Sequence, residues 1–538
     1  MIYSSNRASL RKLVLLASAL TLGGVACADL TEVPVSGVTA SYYDSPAGFD
    51  AAINASYEGL RSFYAVQRGF AVTVFGTDEY TRGADGAYKY INDYTSQLNG
   101  DDQYVRENWQ RLWQAINTAN ATIGRGKTVQ LADAVKNAKV AEVRFLRAIY
   151  YFDLVRMYGP LPLQLSETTD PGVTTTRDPV SAIYDAIIAD LLFAEANLPA
   201  TQKDYGRATK PAAQHMLALV YLTRNAPGDP ALAAAKAKAV IADPQFALLP
   251  RWADNFVFGN KKNKEVVFSV QYTNDPLTTG DGNEGHLYFL MAYELFPGMA
   301  RDVQGGRAFK RFRPTNWLLG LWDRTVDSRY DDGFQTVWYA NNANTIPKDA
   351  SGKPKFSLGD TAIWMPGFEV TAAFRASKPY TIIAPSQYTD AAFPTLNKFL
   401  DPARLTVNDT RGSRDWNVAR LSETYLIAAE ALLRDGKPAE AVTYVNAVRQ
   451  RAAKPGQAAA MAVTPADLSI DFILDERARE LAGEMMRWFD LVRTGKLLER
   501  VKLYNVAGAP NIQAYHVLRP VPSQQLQAAP GFAQNPGY

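Results

Sequence analysis

Glu480 and Glu484 stand four residues apart. On a helix that spacing puts two carboxylates on one face. Glycoside hydrolysis uses such a pair, one group as acid and the other as base or nucleophile. Their neighbours argue for a different role. Glu484 lies three residues before Arg487, and Asp490 three before Arg493. That is the spacing of helix-surface ion pairs, so the expected role is structural bracing. Other signatures of chemistry fail. Gly126, Lys127 and Thr128 end like a phosphate-binding loop, but Ala121 stands where that loop needs glycine, and the segment closes a helix instead of opening one. His215, His286 and His516 are far apart, and no His/Cys cluster has metal-ligand spacing. There is no Gly-x-Ser-x-Gly elbow. Asp281, Asn283 and Glu284 carry calcium-type oxygens, but four residues fall short of the twelve-residue loop. No catalytic residue, metal ligand or cofactor site is assigned.

Aromatic residues carry the stronger signal. Tyr288, Phe289, Tyr293, Phe309, Phe312, Trp317, Trp322, Trp338 and Tyr339 fall within one stretch, and Trp364 follows. Sugar rings have apolar C–H faces that stack on aromatic rings, while their hydroxyls need Asp, Asn and Arg partners. A largely preformed cleft of this kind binds without chemistry. Trp317, Leu318, Leu321 and Trp322 suit a helix face and are expected in the core. Trp338 and Tyr339 precede Asn341 and Asn342, and Trp364 precedes Pro366 and Gly367, so these rings sit in loop-like surroundings. Residues 77–83, with Asp78, Tyr80 and Arg82, form a second polar–aromatic loop together with Tyr88 and Tyr90. The candidate ligand-binding set is therefore Asp78, Tyr80, Arg82, Tyr88, Tyr90, Tyr288, Trp338, Tyr339 and Trp364.

These residues need a scaffold, and the scaffold reads as helical. Phe49, Ile53, Tyr57 and Leu60 share one helical face. Residues 105–123 form a second helix, and residues 139–157 a third that is apolar on most sides and expected to be buried. Residues 180–197, 211–224 and 230–241 follow. Leu421, Tyr425, Ala428 and Leu432 make a stripe, Gly436 and Pro438 supply a stop and a start, and Ala441, Val445, Val448 and Ala452 make the returning stripe. This unit is close to tetratricopeptide size. The helices group into four such pairs: 49–63 with 105–123, 139–157 with 180–197, 211–224 with 230–241, and the pair after 420. Residues 265–272 read as a strand. Residues 244–418 otherwise lack a sustained period, and so long a loop-rich region is usually functional. A last helix is expected over 467–493, followed by a loop-like tail. The expected organisation is a leader at 1–26, a tether at 27–48, a helical part at 49–243, the loop-rich ligand region at 244–418 and a C-terminal helical part at 419–538, all in one domain.

The start of the chain sets the compartment. Arg7, Arg11 and Lys12 precede a short apolar core at 13–22, and small residues Gly23, Gly24 and Ala26 lead into Cys27. This is the layout of an export signal, and the apolar stretch is too short to span a membrane. Cys27 is the only cysteine, so no disulfide forms within the chain. A cysteine at the cleavage point resembles the bacterial lipoprotein signal, although Gly24 stands where that signal usually has leucine. The competing reading is an ordinary secretory signal with an incidental cysteine. Removing residues 1–26 takes away three basic residues and no acid, leaving 54 basic against 54 acidic residues. A mature chain of zero formal charge offers no whole-chain attraction for nucleic acid.

The motifs together resemble the SusD/RagB family of outer-membrane lipoproteins. AEVRFLRAIYYFDLVRMYGPLP at 141–162 resembles the family's most recognisable helix. RLSETYLIAAEAL at 420–432 and VNAVR at 445–449 are similar to its C-terminal helix pair. ERAREL at 476–481 and RWFDLVR at 487–493 are similar to its late helix, and PVP at 520–522 and QNPGY at 534–538 to its tail. The resemblance implies a mainly α, SusD-like fold of four tetratricopeptide-like helix pairs plus a loop-rich ligand-binding region. It implies a non-enzymatic protein, lipid-anchored through Cys27 at the outer membrane and exposed at the cell surface. Such a protein captures oligosaccharides, or in some members peptides, for a TonB-dependent SusC-like transporter. A glycan-acting hydrolase is the alternative from another class.

Overall fold

A computed structural model describes residues 40–169 and 176–538. The leader, Cys27 and most of the tether lie outside these residues. Where the tether is described, it is not extended: Ala40–Asp44 forms a 3-10 turn and helix starts at Pro46.

The helical elements are α1 (Pro46–Arg61), α2 (Gln103–Arg125), α3 (Asp133–Tyr158), α4 (Val180–Asn197), α5 (Lys210–Arg224), α6 (Asp229–Ile241), α7 (Leu421–Arg434) and α8 (Pro438–Arg451). Local chemistry explains their ends. Ser45 and Asp102 cap α1 and α2 by accepting from the Gly48 and Val105 amides, which would otherwise lack helical partners. Gly159, at φ 73°, stops α3. Gly436, at φ 73°, ends the turn after α7, and Pro438 opens α8.

Each helix packs on the next, and α6 packs on α7 across the long insertion between them. The four expected pairs are therefore present and stack in chain order. The third helix is the centre of the stack. Residues on every side of its C-terminal half, from Phe145 to Tyr158, are almost all buried. Burying each such Leu, Ile or Phe contributes about 1.5–3 kcal/mol. No helix among the described residues is long and apolar enough to cross a membrane.

Two helices and a break replace the single late helix. The elements are α9 (Ile470–Leu481), α10 (Arg487–Arg493) and then α11 (Leu497–Tyr504). Gly483 at φ 78° and Met485 at φ 64° turn the chain between α9 and α10. A side chain at Gly483 would meet Leu396 at 2.9 Å, so the turn also needs a close approach.

Short strands occupy the long insertion and its neighbours: β1 (Tyr80–Arg82), β2 (Val266–Val270), β3 (Phe312–Pro314), β4 (Val337–Tyr339), β5 (Thr361–Trp364), β6 (Thr381–Ile382) and β7 (Trp416–Arg420). The antiparallel pair β2–β7 ties the start of the insertion to its end, just before α7. Likewise β1 pairs with β3, fixing the 77–83 loop to the insertion. The sheet β4–β5–β6 covers a small separate core that includes Met291, Tyr293, Trp338, Ile363, Met365 and Phe393.

Candidate functional site

The acidic pair that suggested hydrolysis is buried. Arg329 Nη1 reaches Glu476 Oε1 at 2.8 Å and Glu480 Oε2 at 3.1 Å. Arg420 donates to Glu480 Oε1 at 2.7 Å and to Glu484 Oε2 at 2.8 Å. Arg451 donates to Glu480 Oε1 at 2.6 Å, and Lys398 to Glu484 Oε1 at 2.7 Å. Burial alone would raise the Glu480 pKa, but Arg451, Arg420 and Arg329 outweigh it and hold the carboxyl well below the ordinary range. Glu484 is lowered in the same way, against burial, by Arg420 and Lys398. A glycosidase acid needs a proton near neutral pH and a path to substrate. These carboxylates have neither. Bracing is their role, but inside the protein and not on a helix surface. Glu484 pairs with Arg420 and Lys398, because the break at Gly483 takes it off the helix that carries Arg487.

The calcium-like acids diverge as well. Asp281 meets Arg68 at 3.1 Å, while Glu284 accepts from Tyr288 at 2.8 Å. Among the described residues, no group of three His, Cys, Asp or Glu side chains could hold a metal ion.

Four of the nine sequence-selected binding residues lie in the interior. Asp78 is buried, with Arg487 Nη2 at 2.6 Å and Arg500 Nε at 2.7 Å. Tyr80 is buried edge-on against Phe289. Together they lock the 77–83 loop to α10 and α11. Tyr288 is buried in the main core and Trp338 in the small core. These four residues offer no surface to a ligand, because each side chain is closed off by packing or ion pairing. Arg82 is partly exposed and ion-paired with Asp93 at 3.1 Å.

The remaining rings assemble in two places. At the first, the backbone is held tightly. The Gly83 amide donates to Arg311 O at 2.8 Å, Asp85 N to Lys310 O at 3.1 Å, and Ala84 N to Asp390 O at 2.7 Å. A side chain at Gly83 would meet Lys310 O at 2.2 Å, so only glycine permits this approach. The loop then places Tyr88 at φ 59°, a left-handed conformation that costs a tyrosine about 1–3 kcal/mol. The strained residue faces Tyr104 at 3.9 Å and Tyr90 at 6.3 Å between ring centroids. Its hydroxyl donates to Gln103 Oε1 at 3.2 Å. The Arg311 guanidinium lies 5.6 Å from the Tyr88 ring centre and 4.7 Å from that of Tyr288. Its Nε donates to Asp85 Oδ2 at 2.8 Å, while its buried Nη1 has no partner. Tyr88, Tyr90 and Asp85 are partly exposed and Gln103 is exposed. Ring faces, a hydroxyl, an amide and a carboxylate thus share one surface. That surface can stack on a ring and hydrogen-bond its substituents, and it holds no nucleophile–base pair.

The second place is the outer face of the β4–β5–β6 sheet. Val337 pairs directly with Trp364, and Trp338 with Ile363. Alternation along the strands therefore turns Trp338 and Ile363 inward and leaves Trp364 outward. A bulge follows Trp338, and Tyr339 is 62% exposed. Trp364 contacts Phe368 at 6.0 Å and Phe374 at 6.4 Å, both exposed.

Arg311, Tyr104, Phe368 and Phe374 were not singled out by the sequence. Phe368 directly follows the Pro366–Gly367 turn, a usable signal. Arg311 carries no local signal, since only the pairing of β1 with β3 brings it to Tyr88.

Comparison with known proteins agrees with this architecture. Residues 44–222 match a family described as starch-binding associating with outer membrane. A SusD-like protein P2 from Formosa agariphila is 28% identical, covering 98% of this chain and 99% of its own. The starch-binding protein SusD from Bacteroides thetaiotaomicron is 24% identical over 77% of this chain and 75% of its own. Among solved structures, a laminarin binding SusD-like protein superposes with a TM-score of 0.70 at 25% identity, covering 92% of this chain and all of that one. Residues 264–538, just over half of the chain, match the SusD family itself, and the chain belongs to that family.

Proposed function

We propose that this protein is a non-catalytic, surface-exposed receptor for an oligosaccharide, anchored to the outer membrane by lipid on Cys27. It hands its ligand to a SusC-like, TonB-dependent transporter. The observation that carries this reading is the strained Tyr88, held beside Tyr104, Tyr90 and Arg311 on a surface without catalytic groups. Backbone strain of that size is retained where a side chain must be presented. The family supports glycans as the ligand class, since relatives are described as starch-binding and laminarin binding. The Tyr339–Trp364 face supplies a second stacking surface for the same glycan.

Calorimetric titration of the detergent-solubilised full chain with laminarihexaose tests this. Binding is expected, with affinity falling about tenfold or more in Tyr88→Ala, the size of effect that loss of a central aromatic contact produces. Unchanged affinity in that variant would refute the site. Turnover of the glycan that disappears in Glu480→Gln with Glu484→Gln would refute the non-catalytic reading.

A further inference from the structure

A wide cleft of about 1100 Å³ runs along α2. Arg68, Arg106, Gln110, Arg111, Trp113 and Gln114 line it. In the interior, Arg329, Arg420 and Arg487 are matched by acids. The Arg106 and Arg111 guanidiniums hold no hydrogen bond or ion pair among the described residues. Arg68 is bracketed instead, by Asp281 at 3.1 Å and Glu107 at 4.0 Å. Between the arginines lie the two glutamine amides and the half-buried Trp113 ring, which is fixed edge-on against Tyr151 at 5.9 Å.

A chain of side-chain contacts links the cleft to the Tyr88 surface. Tyr88 bonds Gln103, Gln103 Nε2 donates to Glu107 Oε1 at 2.7 Å, and Glu107 faces Arg68. Gln103 to Gln114 spans about 16 Å of helix. A chain molecule lying on Tyr88 would therefore extend over this surface.

We infer that the α2 cleft extends the glycan site and selects sugars bearing an anionic group, a uronate carboxylate or a sulfate. This rests on the oligosaccharide reading above. An aromatic ring and amides suit the body of a sugar. Unpaired guanidiniums suit its acid, because Arg presents a planar fork of donors that matches carboxylate and sulfate oxygens.

The test is calorimetry on the detergent-solubilised full chain with three probes: tetragalacturonate, a sulfated carrageenan oligosaccharide and neutral laminarihexaose. The variant replaces Arg106→Gln and Arg111→Gln, keeping size and polarity. At least one anionic probe should bind, losing about tenfold in affinity in the variant. Its affinity should also fall as salt rises, since screening weakens exposed charge pairs. Which anionic probe responds separates carboxylate from sulfate. Laminarihexaose, which carries no acid, should lose much less affinity in the variant than the anionic probe does. Anionic probes that bind the variant as well as the parent, or that fail to bind while laminarihexaose binds, overturn the inference alone. Failure of all three overturns the oligosaccharide reading and this extension with it. Displacement of the anionic sugar by an oligoglutamate peptide at lower concentration would assign the cleft to peptides and overturn it too.

Discussion

Two regions of this molecule are dense in polar and aromatic side chains, and they differ in what those side chains face. Around Glu476, Glu480 and Glu484, each carboxylate meets two or more cations, and all are closed off from water. Around Tyr88, the rings and polar groups are paired with one another, yet Tyr88, Tyr90 and Asp85 stay partly exposed and Gln103 exposed. The first arrangement holds three parts of the chain together, at 265, at 329 and at 420–484. The second holds Tyr88 in a left-handed backbone at φ 59°. Spacing in the sequence already points to bracing for the acids and to stacking for some of the rings. Partner count decides, because a saturated charge cannot react and an unsaturated surface can bind.

Removing one member of the buried lattice gives the largest effect. Glu480→Ala removes the one carboxylate that Arg329, Arg420 and Arg451 share, and leaves a buried excess of positive charge there. A loss of about 3–5 kcal/mol is expected in urea denaturation, as for other broken buried pairs. An unchanged midpoint would break the contrast between the two regions.

The lattice and its neighbour Glu79 should respond to pH in opposite directions. Burial would raise Glu476, but Arg329, Arg479 and Arg449 lower it from 4.5 to about 2. Its contribution to stability is complete above its unfolded pKa and is lost as pH falls toward about 2. Glu79 is raised to about 8, chiefly by burial. A raised acid favours the protonated fold, so its contribution is complete below 4.5 and is lost as pH rises through about 8. Glu79→Gln should therefore raise the melting temperature at alkaline pH and change it little in acid. An equal shift at both would separate Glu79 from this titration.

At the proposed binding surface, Tyr88→Ala and Tyr88→Gly both remove the ring, but only glycine relieves the left-handed backbone. The glycine variant should be the more stable by about 1 kcal/mol, with affinity for laminarihexaose reduced equally in both. Equal stability would mean that Tyr88 carries no strain.

The smallest effect belongs to the sheet face. Tyr339→Ala should change stability by less than about 0.5 kcal/mol, as for other surface positions. Its affinity for the same glycan should fall only about threefold, a loss of under 1 kcal/mol. A loss matching that of Tyr88→Ala would move the main site to the sheet.

Much of the scaffold was legible in the sequence, because helix pairing depends on local period and local caps. The stripes at 49–60 and 421–432, and the Gly436–Pro438 turn, all appear as read. The late helix was misread as one piece. Its charged pattern continues through 482–486, and only the left-handed backbone at Gly483 and Met485 breaks it. Site residues were harder. Trp338 and Tyr339 are neighbours with the same apparent surroundings, yet strand pairing sends one into a core and the other to solvent. Asp78 looked like a ligand group because its partners, Arg487 and Arg500, lie more than 400 residues away.

The helical periods and the scaffold motifs were settled by the order of residues alone, because each depends on neighbours a few positions apart. Which carboxylates were neutralised, which rings stayed exposed and which arginines were left unpaired were settled only by the tertiary structure. Those outcomes depend on contacts between segments hundreds of residues apart, and burial and pairing are properties of the assembled surface, not of the chain.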